Sequence, residues 1–284
     1  MSQRALRAAV EVAEQAGLRF DRPLVLRDGS NLLVHLEPAP VVARVATITA
    51  TVRAGDAWLA REVAVAGHLA RLGAPVVPPS GVPAPGPHRH DGHTLTFWEY
   101  AEEVDAPLDA RLAGRGLREC HEALADFDGD LPPMAMLREA EELVERVSLS
   151  TDDADMLRRT AAEVRRRIDA LALPLQAVHG DAHLGNVINT ARGPLWNDWE
   201  DTFLGPRAWD LGCLHASARA FGLDSVPVAA AQAGYGEAPA EEVLDVFVEA
   251  RRFQGTVWTM VFALRHSEWR DRAAARLAWY RERQ

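Results

Sequence analysis

The sequence predicts an α+β protein: a β-rich first third built around one principal helix, then a mostly helical remainder. Three observations carry this reading. Residues 23–47 hold short runs of alternating or continuous apolar residues broken by turn residues. Residues 56–73 repeat apolar residues at helical spacing and stop on Gly73. After Glu99 helical patterns dominate to the end, interrupted only around 178–201.

Residues 2–16 read as an amphipathic helix, with no apolar core of the kind a secretory signal needs. "PLVLRDGSNLLVHLEP", 23–38, reads as strand, turn at Asp28-Gly29-Ser30, strand, and "VVARVAT", 41–47, as a further strand. "APVVPPSGVPAPGP", 74–87, is loop by its Pro and Gly content. An Asp-Gly turn at 91–92 precedes a strand over 93–98. His88, His90 and His93 around that turn are expected as exposed loop residues. The composition changes near 99–105. This gives two expected parts, 1–98 and 99–284, with no internal repeat.

The 284 residues are 48% hydrophobic and 25% charged, the profile of an ordinary globular chain, and no apolar run is long enough for a membrane span. Two cysteines, Cys120 and Cys213, far apart in sequence, make no disulfide framework and fit a reducing, cytoplasmic setting. The net charge is −10. Residues 99–155 alone hold 17 Asp and Glu against 5 Arg. That segment is either a solvated helical face or an acidic rim that attracts a cationic small molecule. No basic stripe suggests a nucleic-acid partner. The chain contains no lysine, which excludes a Walker P-loop.

The interruption at 178–201 concentrates the chemistry. Val187–Asn189 and Leu195–Asn197 read as two short strands joined by the turn "TARG", 190–193. Antiparallel pairing about that turn sets Asn186 across from Asn197 or Asp198, at about 5 Å. Asp181 lies five residues before Asn186, in a loop that Gly180 and Gly185 keep from being helical. One carboxylate able to accept a proton therefore accompanies an Asn/Asp pair able to hold Mg²⁺, which takes hard oxygen ligands and leaves room for phosphate. Those are the parts of a phosphoryl-transfer site. His179 and His183 are four apart, but the flanking glycines argue against a helical zinc pair. They are expected to order the loop through hydrogen bonds. Glu200 and Asp201 are open between solvent, a second metal and a substrate.

These residues resemble the aminoglycoside phosphotransferase-like family of small-molecule kinases. The resemblance rests on "HGDAHLGN" at 179–186, "NDWED" at 197–201 and "GPRAWDLG" at 205–212. It implies a bilobal protein-kinase-like fold, with a β-rich nucleotide-binding N-lobe (1–98) and a mostly helical catalytic C-lobe (99–284). By that resemblance Asp181 is the catalytic base, Asn186 and Asp198 are Mg²⁺ ligands, and Asp210 braces the catalytic loop. Gly29, Ser30 and Asn31 fall at the loop over the phosphates, and Arg44 at the phosphate-binding cation. Glu62 falls at the ion-pair partner of Arg44, and the Glu99–Ala101 backbone at the adenine hinge. The family pattern usually has Lys where this chain has Arg44, which bears on the choice between ATP and GTP. The expected reaction is ATP-dependent phosphorylation of a hydroxyl on an aminoglycoside, amino sugar or similar amino alcohol, through convergence of Asp181, Asn186 and Asp198. The alternative is a kinase-like nucleotide-binding scaffold without catalysis.

Overall fold

The computed structural model describes residues 2–283. In chain order it begins with α1 (Ser2–Gln15), β1 (Arg22–Asp28), β2 (Asn31–Glu37), β3 (Val41–Ala46), the single turn α2 (Thr49–Val52) and α3 (Ala57–Arg71). There follow β4 (His88–His90), β5 (His93–Glu99), α4 (Ala110–Ala123), α5 (Ala135–Val144), α6 (Thr151–Leu171) and β6 (Gln176–Val178). The chain continues through β7 (Val187–Thr190), β8 (Gly193–Trp196), β9 (Phe203–Gly205), α7 (Arg207–Arg219), α8 (Ser225–Tyr235), α9 (Glu241–Ala263) and α10 (Arg270–Arg281).

Of the described residues, those up to Asp130 together with Gly185–Thr202 form one compact unit, and Leu131–Leu184 with those from Phe203 onward form a second. Compactness groups the chain differently from the compositional change at 98/99, and the reason is local. The hairpin β7–β8 is hydrogen-bonded into the first unit: Trp196 N–H donates to Pro75 O and Val77 N–H to Trp196 O. Val104 N–H donates to Asn189 O, and the Trp196 indole donates to Ala113 O at 2.9 Å. A Cβ on Gly116 of α4 would stand 2.9 Å from Pro75, so a glycine lets this helix seat against the loop.

The first unit is built on an antiparallel sheet ordered β1-β2-β3-β5-β4. Ala5, Ala9, Val12 and Ala13 of α1 pack on Leu32, Val34, Leu36, Val41, Ala43, Val45, Leu95 and Phe97. The alternation read in the sequence is thus the alternation of the two sheet faces. His93 opens β5 and is partly buried, and His88 and His90 likewise depart from the exposed-loop expectation. The latter two lie in strand β4, paired with β5 about a turn in which Asp91 and Gly92 take φ of 44° and 75°. Positive φ at both central residues is the hairpin turn that Asp-Gly favours, and the paired strand was masked in the sequence by its shortness.

The second unit is helical around one small ribbon. Strands β6 and β9 pair antiparallel, Val178 opposite Phe203. Phe203 packs edge-on to Trp209 with centroids 5.2 Å apart, and Trp209 to Phe247 of α9. Among the described residues, no helix is long and apolar enough to cross a membrane.

Candidate active site

Strand alternation turns Val41, Ala43 and Val45 toward α1 and leaves Arg44 on the opposite face. Arg44 is 5% exposed there. Its guanidinium bonds Glu62 of α3 through Nη1, and through Nη2 both Asp198 Oδ1 at 2.5 Å and Glu200 Oε2 at 2.6 Å. Three carboxylates therefore share one cation. Burial opposes the charge on Arg44, but Asp198, Glu200 and Glu62 outweigh it and hold the guanidinium charged. The shortage of positive charge falls on the acids: burial pushes Glu62 up to about 7 and Glu200 up to about 8, with Arg44 only partly offsetting it. Glu62 Oε2 is buried and accepts no hydrogen bond among the described residues.

A second layer fixes this cluster. Asn31 donates from Nδ2 to Glu200 Oε2 at 3.1 Å and accepts the Thr49 hydroxyl at 2.9 Å. Its amide is therefore committed inside the network. The Ser30 carbonyl accepts the Thr47 hydroxyl and the Ile48 N–H, at 2.8 and 2.9 Å. That ties the β1–β2 turn to the segment after β3. Arg53 pairs with Asp201 at 2.6 Å. Glu200 and Asp201, open among three readings in the sequence, are thus partners of Arg44, Asn31 and Arg53.

Hairpin β7–β8 has the register Val187↔Trp196 through Thr190↔Gly193. One step beyond it, the Asn186 carbonyl accepts both the Asn197 backbone N–H at 3.0 Å and its Nδ2 at 2.9 Å. Asn186 is buried, and Asp198 follows Asn197 in left-handed backbone, φ 67°. Of the two partners that the turn allowed for Asn186, the structure forms the pairing with Asn197. At the expected hinge, Glu99 N–H donates to Pro78 O and Tyr100 N–H to Pro40 O.

In the second unit, Asp210 in the first turn of α7 is fully buried and accepts the backbone N–H groups of His179 and Gly180 at 2.7 and 2.9 Å. The Trp209 indole donates to Gly180 O at 2.9 Å, and Gly180 itself has φ 88°. Gly180, just before Asp181, is therefore held at both its N–H and its carbonyl, and the N–H contacts are the bracing that the resemblance assigned to Asp210. His179 accepts the Asp181 N–H through Nδ1 at 3.3 Å, and His183 Nε2 lies 3.6 Å from Asp181 Oδ2. Both histidines order the loop. Arg251 of α9 bonds Asp181 Oδ1 through Nη2 and holds Gln254 Oε1 at 2.7 Å through Nη1. Burial would raise the pKa of Asp181. Arg251, helped by His183 and His179, reverses this and holds the carboxyl well below the usual range.

The structure brings Arg44, Glu62 and Asp198 together and sets Asn186 beside the residue preceding Asp198. Arg251 and the inward role of Glu200 were not legible. "EARRFQG" carries no signal that one of two adjacent arginines reaches a loop 70 positions earlier. The Trp-Glu-Asp run offered Glu200 only as one carboxylate among several.

Known structures match along nearly the whole chain. A choline/ethanolamine kinase family protein from Mesorhizobium loti covers 99% of this chain and 94% of its own, at 19% identity and a TM-score of 0.67. Amicoumacin kinase hAmiN, solved in complex with AMP-PNP, Ca²⁺ and Ami, covers 100% and 96%, at 14% identity and 0.76. A spectinomycin phosphotransferase, solved with ADP and spectinomycin, covers 96% and 94%, at 12% identity and 0.59. At these identities the likeness is one of fold. The model of the phosphotransferase enzyme family (APH) matches residues 22–247. The chain belongs to the phosphotransferase enzyme family and is a small-molecule kinase.

Proposed function

We propose that the protein transfers the γ-phosphoryl group of ATP, or of GTP, to a hydroxyl of a small molecule, with Mg²⁺ as the metal. The observation that carries the reading is the buried cluster of Glu62, Asp198 and Glu200 on the single cation Arg44. It is rich in oxygen donors, carries surplus negative charge and contains an unbonded buried carboxylate oxygen, Glu62 Oε2. The Asp198 carboxylate and the Asn186 side-chain amide are hard oxygen donors of the kind a divalent cation takes. Asp198 and Asn186 would hold it, and when bound it neutralises charge on the phosphates. Arg44 then exchanges carboxylate for phosphate oxygens, held in place from behind by Glu62. Residues 1–98 serve as the nucleotide-binding part, with Ser30 and Asn31 at the turn nearest the phosphates. With the N–H groups of Glu99 and Tyr100 engaged, the adenine edge meets the backbone at Ala101. Residues 99–284 serve catalysis and acceptor binding.

Asp181 orients the acceptor hydroxyl and takes its proton as the new oxygen–phosphorus bond forms and the bond to the leaving diphosphate breaks. Little covalent chemistry falls to the protein, so the rate comes from positioning and charge neutralisation. Asp210 contributes by fixing the peptide before Asp181. Amine-bearing alcohols, the class expected from the acidic segment, share this chemistry with other hydroxylated compounds. Asp181→Asn is the test: nucleotide binding stays near wild type while transfer to any acceptor falls by about 10³-fold or more. Retained turnover in that variant refutes the role given to Asp181. A nucleotide-binding protein with no turnover across a broad acceptor panel supports the scaffold reading instead.

A further inference from the structure

We propose that Arg251 selects the acceptor: the preferred substrate carries an anionic group, a carboxylate, sulfate or phosphate, close to the hydroxyl that is phosphorylated. The inference rests on Asp181 being the base, and it refines the substrate class of that same site.

The geometry is specific. Arg251 spends one arm of its guanidinium on Gln254, itself 1% exposed, and aims the other at Asp181 Oδ1. A hydroxyl that is to give its proton to Asp181 arrives beside that arm, on a carboxylate whose other oxygen faces His183 at 3.6 Å. Drawing this largely buried guanidinium away from its carboxylate weakens an ion pair at little solvent exposure. An acceptor with its own anion supplies the replacement, because a planar fork matches a carboxylate, sulfate or phosphate in two-point contact. Binding then transfers Arg251 from the base to the substrate and frees Asp181 in the same event. An ammonium placed there would meet a cation instead.

The surroundings point the same way. Arg276, held by the Gly255 carbonyl at 2.7 Å, is lowered to about 10 by burial and by the charges of Arg272, Arg251 and Arg252. The region around Arg251 is therefore positively biased. In the same unit, three acids of the acid-rich segment are already paired: Glu141 with Arg165, Glu145 with Arg158 and Asp153 with Arg281. Helical spacing places Trp258 and Phe262 on the face of α9 that bears Arg251 and Gln254. Their rings lie 5.8 Å apart and both are only partly buried, which offers a surface for the acceptor's carbon skeleton.

The test uses the full-length protein with Mg²⁺ and ATP against hydroxylated metabolites and antibiotics grouped as anionic, neutral and cationic. Size-matched sets such as glycerate, glycerol and serinol, or glucuronate, glucose and glucosamine, are included. Turnover is expected in the anionic group. For the best anionic acceptor, the ratio of its kcat/KM to that of its uncharged amide should exceed about tenfold. In Arg251→Gln that ratio should collapse toward one, and Arg251→Lys should restore part of it. Because the ratio is taken within one variant, a general loss of activity or stability cancels. Turnover confined to cationic or neutral acceptors, or a ratio unchanged in Arg251→Gln, overturns this inference while leaving the kinase reading intact. Failure of every acceptor to turn over, with nucleotide bound, overturns both.

Discussion

Arg44 and Asp198 stand 154 positions apart in the chain, yet Arg44 Nη2 meets Asp198 Oδ1 at 2.5 Å, with Glu200 on the same nitrogen and Glu62 on the other. The phosphate-binding cation and the metal-binding carboxylate of the proposed mechanism are thus bound to each other. That mechanism requires the nucleotide to separate them.

This relationship gives Arg44 a structural part besides the one proposed for it. Arg44→Ala leaves Glu62, Glu200 and Asp198 without their shared cation. Breaking a buried ion pair by removing one partner costs about 3–5 kcal/mol, so the variant should unfold at markedly lower urea. Arg44→Lys, one point charge in place of a fork, should fall between the two. An unchanged urea midpoint in Arg44→Ala would show that the cluster contributes nothing to the fold.

Asp210 supports Asp181 through the backbone rather than through contact with substrate. Asp210→Asn keeps the shape but can accept with only one oxygen, so one of the two N–H groups, His179 or Gly180, loses its partner. Losing a hydrogen bond to a charged acceptor costs about 1.5–3 kcal/mol. The expected result is a lower kcat with nucleotide affinity nearly unchanged, together with faster amide exchange at residues 179–181. Normal exchange there would argue against the brace.

Helices α7 and α9 cross closely at Gly212. A Cβ added there would lie 2.7 Å from the carbonyl carbon of Phe247, and backbone cannot swing aside as a side-chain tip can. Gly212→Ala should therefore destabilise by about 1–3 kcal/mol through overpacking, despite the better helix propensity of alanine. Chemical denaturation decides it. A neutral or stabilising effect would mean that the crossing has room to relax.

Asp153 gives the pH dependence. Arg281 donates to both of its oxygens, at 2.8 and 2.7 Å, and Ser150 adds a third bond. The Arg281 hydrogen bonds, partly countered by burial and reinforced by Ser150, lower its carboxyl below the ordinary 3.8. A depressed carboxyl pKa stabilises the fold above the unfolded value and loses that stabilisation as pH falls through the folded one. Asp153→Asn should therefore unfold at lower denaturant than wild type at pH 7. The difference should close as both are titrated below pH 3.8. A gap that stayed constant down to acid pH would mean that the charge of Asp153 is not what holds α10.

Local rules settled much of the molecule in advance. The small apolar stripe of residues 5–13 made α1 a helix with one buried face, and alternation in "VVARV" put Arg44 on the face away from it. Turn chemistry at 190–193 narrowed the β7–β8 register to two, with Asn186 beside Asn197 or Asp198, and the first is formed. Each of these depends on neighbours within a few residues, where backbone geometry leaves few choices. The sequence by itself thus determined α1, α3 and the strands β1, β2, β3 and β5 of the first third, the hairpin and the order of the phosphotransferase motifs. The tertiary structure alone decided that Glu200 turns inward onto Arg44 and Asn31, that the hairpin belongs to the first compact unit, and that Arg251 reaches Asp181. Those contacts join residues 70 to 169 positions apart. Such pairings are set by which faces pack together and which buried charges need partners, and no local pattern encodes that choice.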